Sequence, residues 1–382
     1  MTRILKFRQG AHPCGPRRRY PIFSHLQVGE RRGEGEHYIT IEEKPMKAII
    51  CERPGQFMMK EIDPPHPKPG KALVRIRRVG ICGTDLHAFK GEQPYFTYPR
   101  ILGHELSGEI VGIGENPENL KIGDAVVIIP YVWCGKCIAC RQGKTNCCTR
   151  INLFGVHWDG GMQEYLSVPI DHLIRTEKLN FDQMAMVECL AIGAHAVRRA
   201  HIEEGEMAMV IGAGPIGMSV MQFAKEAGAT VIALDIVKSR LEFCRSQFKV
   251  DHIVDGRGDA IKEIESITDG DYPLVVFDAT GNAKSMMNAI NFVAHGGRLI
   301  LVSLVKENIT FYDPDFHLRE MTLMGSRNAT REDMEHVIHS VEAGKVDASS
   351  FITHRAALDQ LISVFESWLK PETGVIKAIV EL

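Results

Sequence analysis

The sequence predicts an α/β protein of two domains, and three observations lead to this prediction. The length of 382 residues exceeds what one hydrophobic core of ordinary size serves. Near residue 181 the pattern changes from short strand-like runs to strands that alternate with helical segments. The composition, 45% hydrophobic and 24% charged residues, is typical of a globular chain.

The charge balance argues against nucleic-acid or membrane partners. The formal net charge is -3 and the sequence pI is about 6.6, so no basic surface is indicated. The longest uncharged run, residues 207–224, contains Gly212, Gly214, Pro215 and Gly217, which favour a strand–turn–helix over a membrane span. We therefore expect a cytoplasmic protein that acts on a small-molecule substrate.

Residues 1–45 differ from the rest of the chain. Residues 1–29 carry six Arg or Lys and no acidic residue, and they lack the apolar segment of a signal peptide. Two explanations stay open: an arginine-rich transit peptide, or translation that begins at Met46, where an alternating strand pattern starts. We expect residues 1–45 to be disordered and leave them outside the fold prediction.

Residues 46–190 are predicted to form a β-rich domain. The runs ALVRIRRVGI, ELSGEIVGIG and DAVVIIP have the composition of strands. Glycine and proline interrupt this part of the chain at intervals that are typical of all-β structure.

Residues 191–326 are predicted to form a doubly wound parallel sheet. The strand-like runs EMAMVIGAG, ATVIALD, DHIVD, LVVFDAT, GRLILVS and MTLMGS alternate with amphipathic segments, as in βαβ units. Residues 327–382 are expected to return to the first domain, with a helix that presents Met334, Val337, Ile338 and Val341 on one face and a final strand in TGVIKAIVEL.

A glycine motif, VIGAGPIG, follows the first of these strands and opens a helix. Gly212, Gly214 and Gly217 permit a tight turn and bring the backbone close to a pyrophosphate at the helix N-terminus. The next strand ends at Asp235, whose carboxylate would bind ribose hydroxyl groups and repel a 2′-phosphate. The motif predicts a Rossmann fold that binds NAD rather than NADP.

Five of the ten cysteines lie within residues 134–148. Cys134, Cys137 and Cys140 are joined by Cys148, or by its neighbour Cys147, in a spacing that lets one small lobe surround a metal ion. Four thiolates form a closed tetrahedral site, so we expect a structural zinc here.

Three further segments together predict a catalytic zinc. Cys82 lies in GICGTDLH, His104 and Glu105 lie in ILGHELSGEI, and Glu188 lies in the apolar run MAMVECLAIGAHAV. A buried carboxylate needs a positive partner, which a metal ion would supply to Glu188. A thiolate, an imidazole and a carboxylate leave a zinc ion with an open position for water or substrate.

From Met46 to Leu382 the sequence resembles the zinc-dependent medium-chain dehydrogenase/reductases. GICGTDLH, GHELSGEIVGIG, the cysteine lobe, VECLAIGAHAVRRA and VIGAGPIG occur in the order and spacing of that family. The segment at Glu188 is similar to the E-P-L-x-x-G-x-H-A motif of the polyol (sorbitol) and threonine dehydrogenase branch, with Cys189 in place of proline. The resemblance implies a GroES-like catalytic domain, a Rossmann domain, and a homodimer or homotetramer formed through the sheet edge near GRLILVSLVKEN.

The resemblance also implies roles for single residues. It favours Cys148 over Cys147 as the fourth structural ligand, which gives two zinc ions per chain. Around the catalytic zinc it places Cys82, His104, Glu105 and Glu188, with either carboxylate as the direct ligand. Thr84 and His87 match a proton relay, and His195 is expected to serve packing. The implied cofactor contacts are Gly212, Gly214, Pro215, Ile216, Gly217, Asp235 and Arg240.

For the substrate, the resemblance implies a polyol or a sugar acid of the L-galactonate or L-idonate kind. Arg327 and Asn328 fall where this branch places an arginine near the cleft, and His157 with Trp158 is a further candidate. Three alternatives stay open: an L-threonine 3-dehydrogenase, a non-catalytic NAD-binding protein, and a cysteine lobe that serves as a nucleic-acid zinc ribbon.

Overall fold

The computed structural model describes residues 5–8, 27–29, 36–40, 44–66, 68–93, 96–113 and 116–382. Ahead of Met46 it contains three strands, β1 (Leu5–Arg8), β2 (Gln27–Gly29) and β3 (Glu36–Thr40), paired in the antiparallel order β1-β3-β2. These strands differ from the disorder that the sequence predicted for residues 1–45. The rest of residues 1–43 lies outside the described residues.

The β-rich domain begins at Met46. Its strands are β4 (Met46–Arg53), β5 (Gln56–Ile62), β6 (Lys71–Ile81), β7 (Arg100–Ile101), β8 (Glu105–Gly112), β9 (Ala125–Ile128), β10 (Tyr131–Val132), β11 (Asn152–Leu153), β12 (Tyr165–Pro169) and β13 (Leu173–Arg175). Two short helices, α1 (Gly83–Lys90) and α2 (Ile138–Arg141), interrupt them. The strands have the mixed burial of a sheet with a single core face, as the glycine- and proline-punctuated pattern predicted.

The nucleotide-binding domain is a six-stranded parallel sheet in the order β16-β15-β14-β17-β18-β19. Its strands are β14 (Met207–Ile211), β15 (Thr230–Asp235), β16 (His252–Asp255), β17 (Val275–Asp278), β18 (Arg298–Leu301) and β19 (Thr322–Gly325). The helices are α4 (Pro215–Glu226), α5 (Lys238–Phe248), α6 (Ala260–Ile267), α7 (Ala283–Asn288) and α8 (Asp313–Leu318). This strand order reverses direction beside β14, which is where doubly wound sheets bind their ligands. The predicted Rossmann sheet is confirmed.

The long helix α3 (Phe181–Ala200) joins the two domains, because it packs on β8 of the first sheet and on α4 of the second domain. The domain boundary predicted at residue 190 therefore falls inside a continuous helix. Asn180 caps its N-terminus by accepting a hydrogen bond from the Gln183 N–H at 2.9 Å.

The last part of the chain rejoins the first domain later than predicted. Helix α9 (Arg331–Glu342) packs on α3, and Met334, Val337 and Ile338 share a core cluster with the nucleotide-binding sheet. The return occurs at β20 (Ile352–Ala357), followed by α10 (Leu361–Trp368) and β21 (Lys377–Glu381). These strands extend a seven-stranded sheet, β13-β9-β8-β6-β21-β20, in which β12 also pairs with β6. Within the described ranges, no helix is both long and apolar enough to cross a membrane.

Candidate functional site

Three of the four predicted catalytic ligands, Cys82, His104 and Glu105, come together where β6 ends and β8 begins, whereas Glu188 is not part of this group. Cys82 is the N-cap residue of α1, directly after β6, and His104 and Glu105 stand at the start of β8, which pairs with β6. One ligand atom from each of Cys82, His104 and Glu105 lies within 4.8 Å of the others. A thiolate, an imidazole and a carboxylate at this separation fit a zinc ion that keeps an open position.

Asp85 supports this cluster and was not identified from the sequence. Its carboxylate accepts hydrogen bonds from the Cys82 N–H at 2.9 Å and from the Gly103 N–H at 3.1 Å, so it fixes the backbone on both sides of the cluster. Its Oδ1 lies 3.7 Å from Nδ1 of His104, which has no hydrogen-bond partner among the described residues. A carboxylate behind one ring nitrogen orients the imidazole so that the other nitrogen can bind a metal.

Glu105 is held by a buried lysine. Nζ of Lys377 on β21 donates to the two carboxylate oxygens of Glu105 at 2.6 and 2.8 Å. Gly80, opposite Glu105 on β6, makes room for this carboxylate, since a Cβ atom there would lie 2.1 Å from Glu105 Oε2. Lys377 was also missed by the sequence reasoning, although a lysine within the apolar run VIKAIVEL was a visible signal.

Glu188 reaches the same region from α3 and is 5% exposed. Its Oε1 accepts a hydrogen bond from the hydroxyl group of Tyr131, a third residue that the sequence did not suggest. Burial raises the pKa of Glu188, and the charge of Glu105 acts in the same direction, whereas His104 and Tyr131 lower it. The charge of Lys377 also lowers the pKa of Glu188, and a metal ion bound beside this carboxylate would lower it further.

The proton-relay candidates Thr84 and His87 lie on α1, two and five residues after Cys82. Both side chains line a cavity of about 880 Å³ that also reaches Cys82. The opposite wall of this cavity belongs to the nucleotide-binding domain and includes Pro215, Ile216 and Arg240, which the sequence assigned to cofactor binding.

The glycine turn after β14 has the geometry of a phosphate-binding loop. Gly212 has a φ of 98°, which a residue with a side chain rarely adopts, and a Cβ atom on Gly217 would lie 1.7 Å from the Gly212 carbonyl oxygen. A Cβ atom on Gly214 would meet nothing within 4 Å, so space is open in front of the α4 N-terminus. Asp235 accepts hydrogen bonds from the N–H groups of Ala213 at 2.5 Å and Val237 at 2.7 Å. These bonds fix its carboxylate beside the turn.

The cysteine lobe brings four thiols together: Cys134, Cys137, Cys140 and Cys148. Cys148 is 2% exposed and belongs to this group, whereas Cys147 is exposed and does not. Backbone N–H groups of Cys140 and Thr149 lower the pKa of Cys137 to about 5, which favours the thiolate that zinc binds. The donor set fits a closed zinc site.

His195 packs between the cysteine lobe and α9. The Asn146 amide lies 3.0 Å from its Nε2 and donates there, so the ring proton lies on Nδ1, which donates to Asp333 at 2.9 Å. Asn146 also donates to the carbonyl oxygen of Arg327 at 2.8 Å. The structure thus gives His195 the packing role that the sequence predicted for it.

Three substrate candidates lie outside the set of residues that lines the cavity: His157, Arg327 and Asn328. The side chain of Asn328 donates to the Asn146 carbonyl oxygen at 3.4 Å. Burial lowers the pKa of His157, and the positive charges of Arg100 and Arg327 lower it further. Arg100 and Arg327 therefore lie close enough to His157 to disfavour its charged form, and the Arg100 guanidinium is itself paired with Asp159 at 3.2 Å.

Two family models match this chain. Residues 68–178 match the alcohol dehydrogenase GroES-like domain, and residues 215–343 match the zinc-binding dehydrogenase domain.

Individual proteins are similar over most of the chain. The L-galactonate-5-dehydrogenase of Escherichia coli (strain K12) is 42% identical over 335 residues, which cover 88% of this chain and 98% of that protein. The D-arabitol-phosphate dehydrogenase of Enterococcus avium is 32% identical over 348 residues, 88% of this chain and 98% of that protein. The crystal structure of rspB from E. coli CFT073, complexed with NADH, superposes with a TM-score of 0.83 at 27% identity and covers 89% of this chain and 100% of that one.

Proposed function

We propose that this chain, which belongs to the zinc-dependent medium-chain dehydrogenase/reductases, oxidises a secondary hydroxyl group of a sugar acid and transfers the hydride to NAD. Within that family it is a polyol or sugar-acid dehydrogenase. The observation that carries the proposal is the shared cavity, whose walls include Cys82 on one side and Ile216 beside the glycine turn on the other.

In this proposal, Cys82, His104 and one of the two carboxylates, Glu105 or Glu188, hold the catalytic zinc. Zinc, when bound, lowers the pKa of a hydroxyl group that it coordinates, and NAD accepts a hydride. The remaining steps belong to the chain. Thr84 takes the hydroxyl proton and passes it towards His87, which is 59% exposed and can release it to solvent.

A second zinc ion is proposed for the cysteine lobe. Four cysteine sulfur atoms that lie within 4.8 Å of one another support it, because four cysteines are a common ligand set of structural zinc sites. Asn146, within the same lobe, contacts the backbone of Arg327. The lobe would therefore also stabilise the segment between β19 and α9.

The sugar-acid substrate is proposed on two grounds. The E. coli relative at 42% identity is named for L-galactonate, which carries a carboxylate. The charge of Arg327, which is exposed, would attract such a carboxylate as it approaches the cleft, and a neutral polyol would gain less from it.

The strand in GRLILVSLVKEN is β18, which pairs with β19 and is not the edge of the sheet, so assembly into a dimer or tetramer is proposed through the edge strand β19. Large apolar side chains in this part of the chain are exposed, which is unusual for a surface that meets only water: Phe311, Tyr312, Leu318 and Leu323. Location in the cytoplasm stays a prediction.

The substrate is tested by initial rates with L-galactonate, L-idonate, sorbitol and L-threonine, each with NAD and with NADP. We expect the aldonates to give the highest kcat/KM, and Arg327→Gln to raise KM for aldonates about fivefold, the scale of an exposed ion pair, while KM for sorbitol stays unchanged. Arg257→Gln, at an exposed arginine paired with Asp255, is the matched control. Preferential turnover of threonine would contradict the proposal of a sugar-acid substrate. Equal effects of Arg327→Gln on the KM of aldonates and of sorbitol would show that Arg327 does not bind the substrate carboxylate.

A further inference from the structure

We propose that Glu92 is a positioning residue for His87, which it holds in the tautomer and orientation that accept the substrate proton. This inference rests on the proposed function, because it takes His87 as the outer member of the relay. It goes further in assigning a partner to that histidine, one that the sequence motif GICGTDLH does not contain.

The end of helix α1 places Glu92 beside His87. The helix stops at Lys90, and Gly91 follows in the left-handed region with a φ of 77°. The Gly91 N–H donates to the Ala88 carbonyl at 3.0 Å, and the Glu92 N–H donates to the His87 carbonyl at 2.9 Å. A glycine cap of this kind folds the chain back over the last helical turn. A residue five positions after His87 thereby becomes its neighbour.

The two side chains then meet. Nδ1 of His87 lies 2.8 Å from Oε2 of Glu92, and a carboxylate can only accept, so the ring proton lies on Nδ1. Nε2 is thereby left as the acceptor for an incoming proton. After the proton arrives, the ring carries a positive charge that the carboxylate stabilises. Both side chains are more than half exposed, at 59% and 54%, so the expected effect is moderate.

A residue on the opposite wall of the cavity also forms a hydrogen bond with the backbone at Glu92. Nζ of Lys306, from the nucleotide-binding domain, donates to the Glu92 carbonyl oxygen at 2.5 Å. The charged groups that act on the Glu92 carboxylate are His87, Lys90 and Lys306, and the hydrogen bond from His87 has the largest effect in lowering its pKa. Arg240 and Glu307 line the same cavity. The position of Glu92 is thus fixed by the helix cap and by a contact between the domains.

The first test compares the pH dependence of kcat for aldonate oxidation in the wild type, Glu92→Gln, Glu92→Asp and His87→Ala. Loss of the carboxylate removes the hydrogen-bond partner of Nδ1, so the pH profile of kcat in Glu92→Gln should differ from that of the wild type. We expect kcat to fall about threefold to tenfold with little change in KM, because ring orientation is lost, and Glu92→Asp to recover part of it. Glu366→Gln makes the same charge change at an exposed glutamate of α10 that does not line the cavity, and is the control.

A second measurement does not depend on turnover. ¹⁵N NMR of the ring nitrogens of His87, assigned by its disappearance in His87→Ala, should show the Nδ1-protonated form in the wild type and a mixture of tautomers in Glu92→Gln. An unchanged tautomer and an unchanged pH profile in Glu92→Gln would overturn the inference. A wild-type profile in His87→Ala would instead remove the relay from the proposed function, and absence of polyol or aldonate turnover by the wild type would remove that function itself.

Discussion

Nζ of Lys377 lies 2.6 and 2.8 Å from the two carboxylate oxygens of Glu105, and these side chains are 2% and 1% exposed. The pair links β21, near the C-terminus, to β8 across the intervening strand β6. It also changes the charge balance of the candidate zinc site. Because the lysine neutralises Glu105, a zinc ion bound as proposed would be balanced by a Cys82 thiolate and the Glu188 carboxylate.

Replacing Lys377 by Met should leave Glu105 charged, buried and unpaired. Removing one partner of a buried ion pair costs about 3–5 kcal/mol, so we expect a loss of that size in the free energy of unfolding, measured with urea after zinc has been removed with a chelator. The double variant Lys377→Met/Glu105→Gln should recover most of it, because no buried charge then lacks a partner. Lys370→Met, at an exposed lysine of the same cavity, is the control. A double variant no more stable than the single one would contradict this account.

Glu188→Gln should weaken the catalytic zinc site without unfolding the chain. The amide keeps the shape of the side chain and still accepts from Tyr131, but it removes the negative charge that attracts the metal. We expect zinc content to fall from two ions per chain towards one, and kcat to fall at least a hundredfold. Zinc content is measured by elemental analysis after dialysis against a weak chelator. Tyr131→Phe should retain both ions, and two ions with full activity in Glu188→Gln would assign the glutamate to structure.

The two adjacent cysteines of the lobe should behave differently. Cys148 is buried among the other three thiols, while Cys147 is exposed beside them. We therefore expect Cys148→Ser to lose one zinc ion per chain and to lower the thermal midpoint by several degrees, since structural zinc contributes directly to folding. Cys147→Ser is the matched control and should retain both ions. Equal zinc content in the two variants would show that the lobe does not need Cys148.

Asp235 should decide between NAD and NADP. Its carboxylate is fixed at the end of β15 by the N–H groups of Ala213 and Val237, where a 2′-phosphate would meet a negative charge. Asp235→Ser should raise KM for NAD about tenfold and improve kcat/KM with NADP, both read from initial rates at constant substrate. Asp255→Asn, at the matching position of the neighbouring strand β16, should leave the preference unchanged. An unaltered preference in Asp235→Ser would place the ribose elsewhere.

The fold was predictable because its signals are local. The glycine turn, the six strand-like runs and the apolar face of α9 each follow from neighbouring residues, and the strands appear where those runs lie. The domain boundaries were not predictable, because α3 is helical on both sides of residue 190 and its buried side chains belong to one core cluster that takes residues from both domains. The spacing of apolar residues in the sequence does not show where such a helix passes from one domain to the other.

The metal ligands could be proposed from motifs, whereas their supporting residues could not. Asp85 and Tyr131 act through contacts that depend on the folded sheet, and Lys377 meets Glu105 across 272 positions of sequence. Asp85 could have been suspected from the sequence alone, because it stands three residues after Cys82 and its side chain caps the same helix. For Tyr131 the sequence IIPYVW gives no comparable sign, because a tyrosine in an apolar run is ordinary core composition.

Asp333 should make the free energy of unfolding depend on pH in the acidic range. Burial alone would raise the pKa of Asp333, but hydrogen bonds from His195 and Arg198 lower it well below its usual range. A carboxyl group whose pKa is lowered by folding stabilises the folded state at pH values above its pKa in the unfolded chain, about 3.9. This contribution is lost as the pH falls through the lower pKa of the folded state.

Asp333→Asn should therefore lower the free energy of unfolding by roughly 2–3 kcal/mol at pH 7, and its difference from the wild type should shrink below about pH 3.9. Urea unfolding at a series of pH values measures this difference. Glu332→Gln is the matched control, because Glu332 pairs with the same Arg198 at 2.8 Å but is 75% exposed, and it should change stability by less than about 1 kcal/mol. A difference for Asp333→Asn that stays constant from neutral to acidic pH would mean that the side chain contributes through its shape and not through its charge.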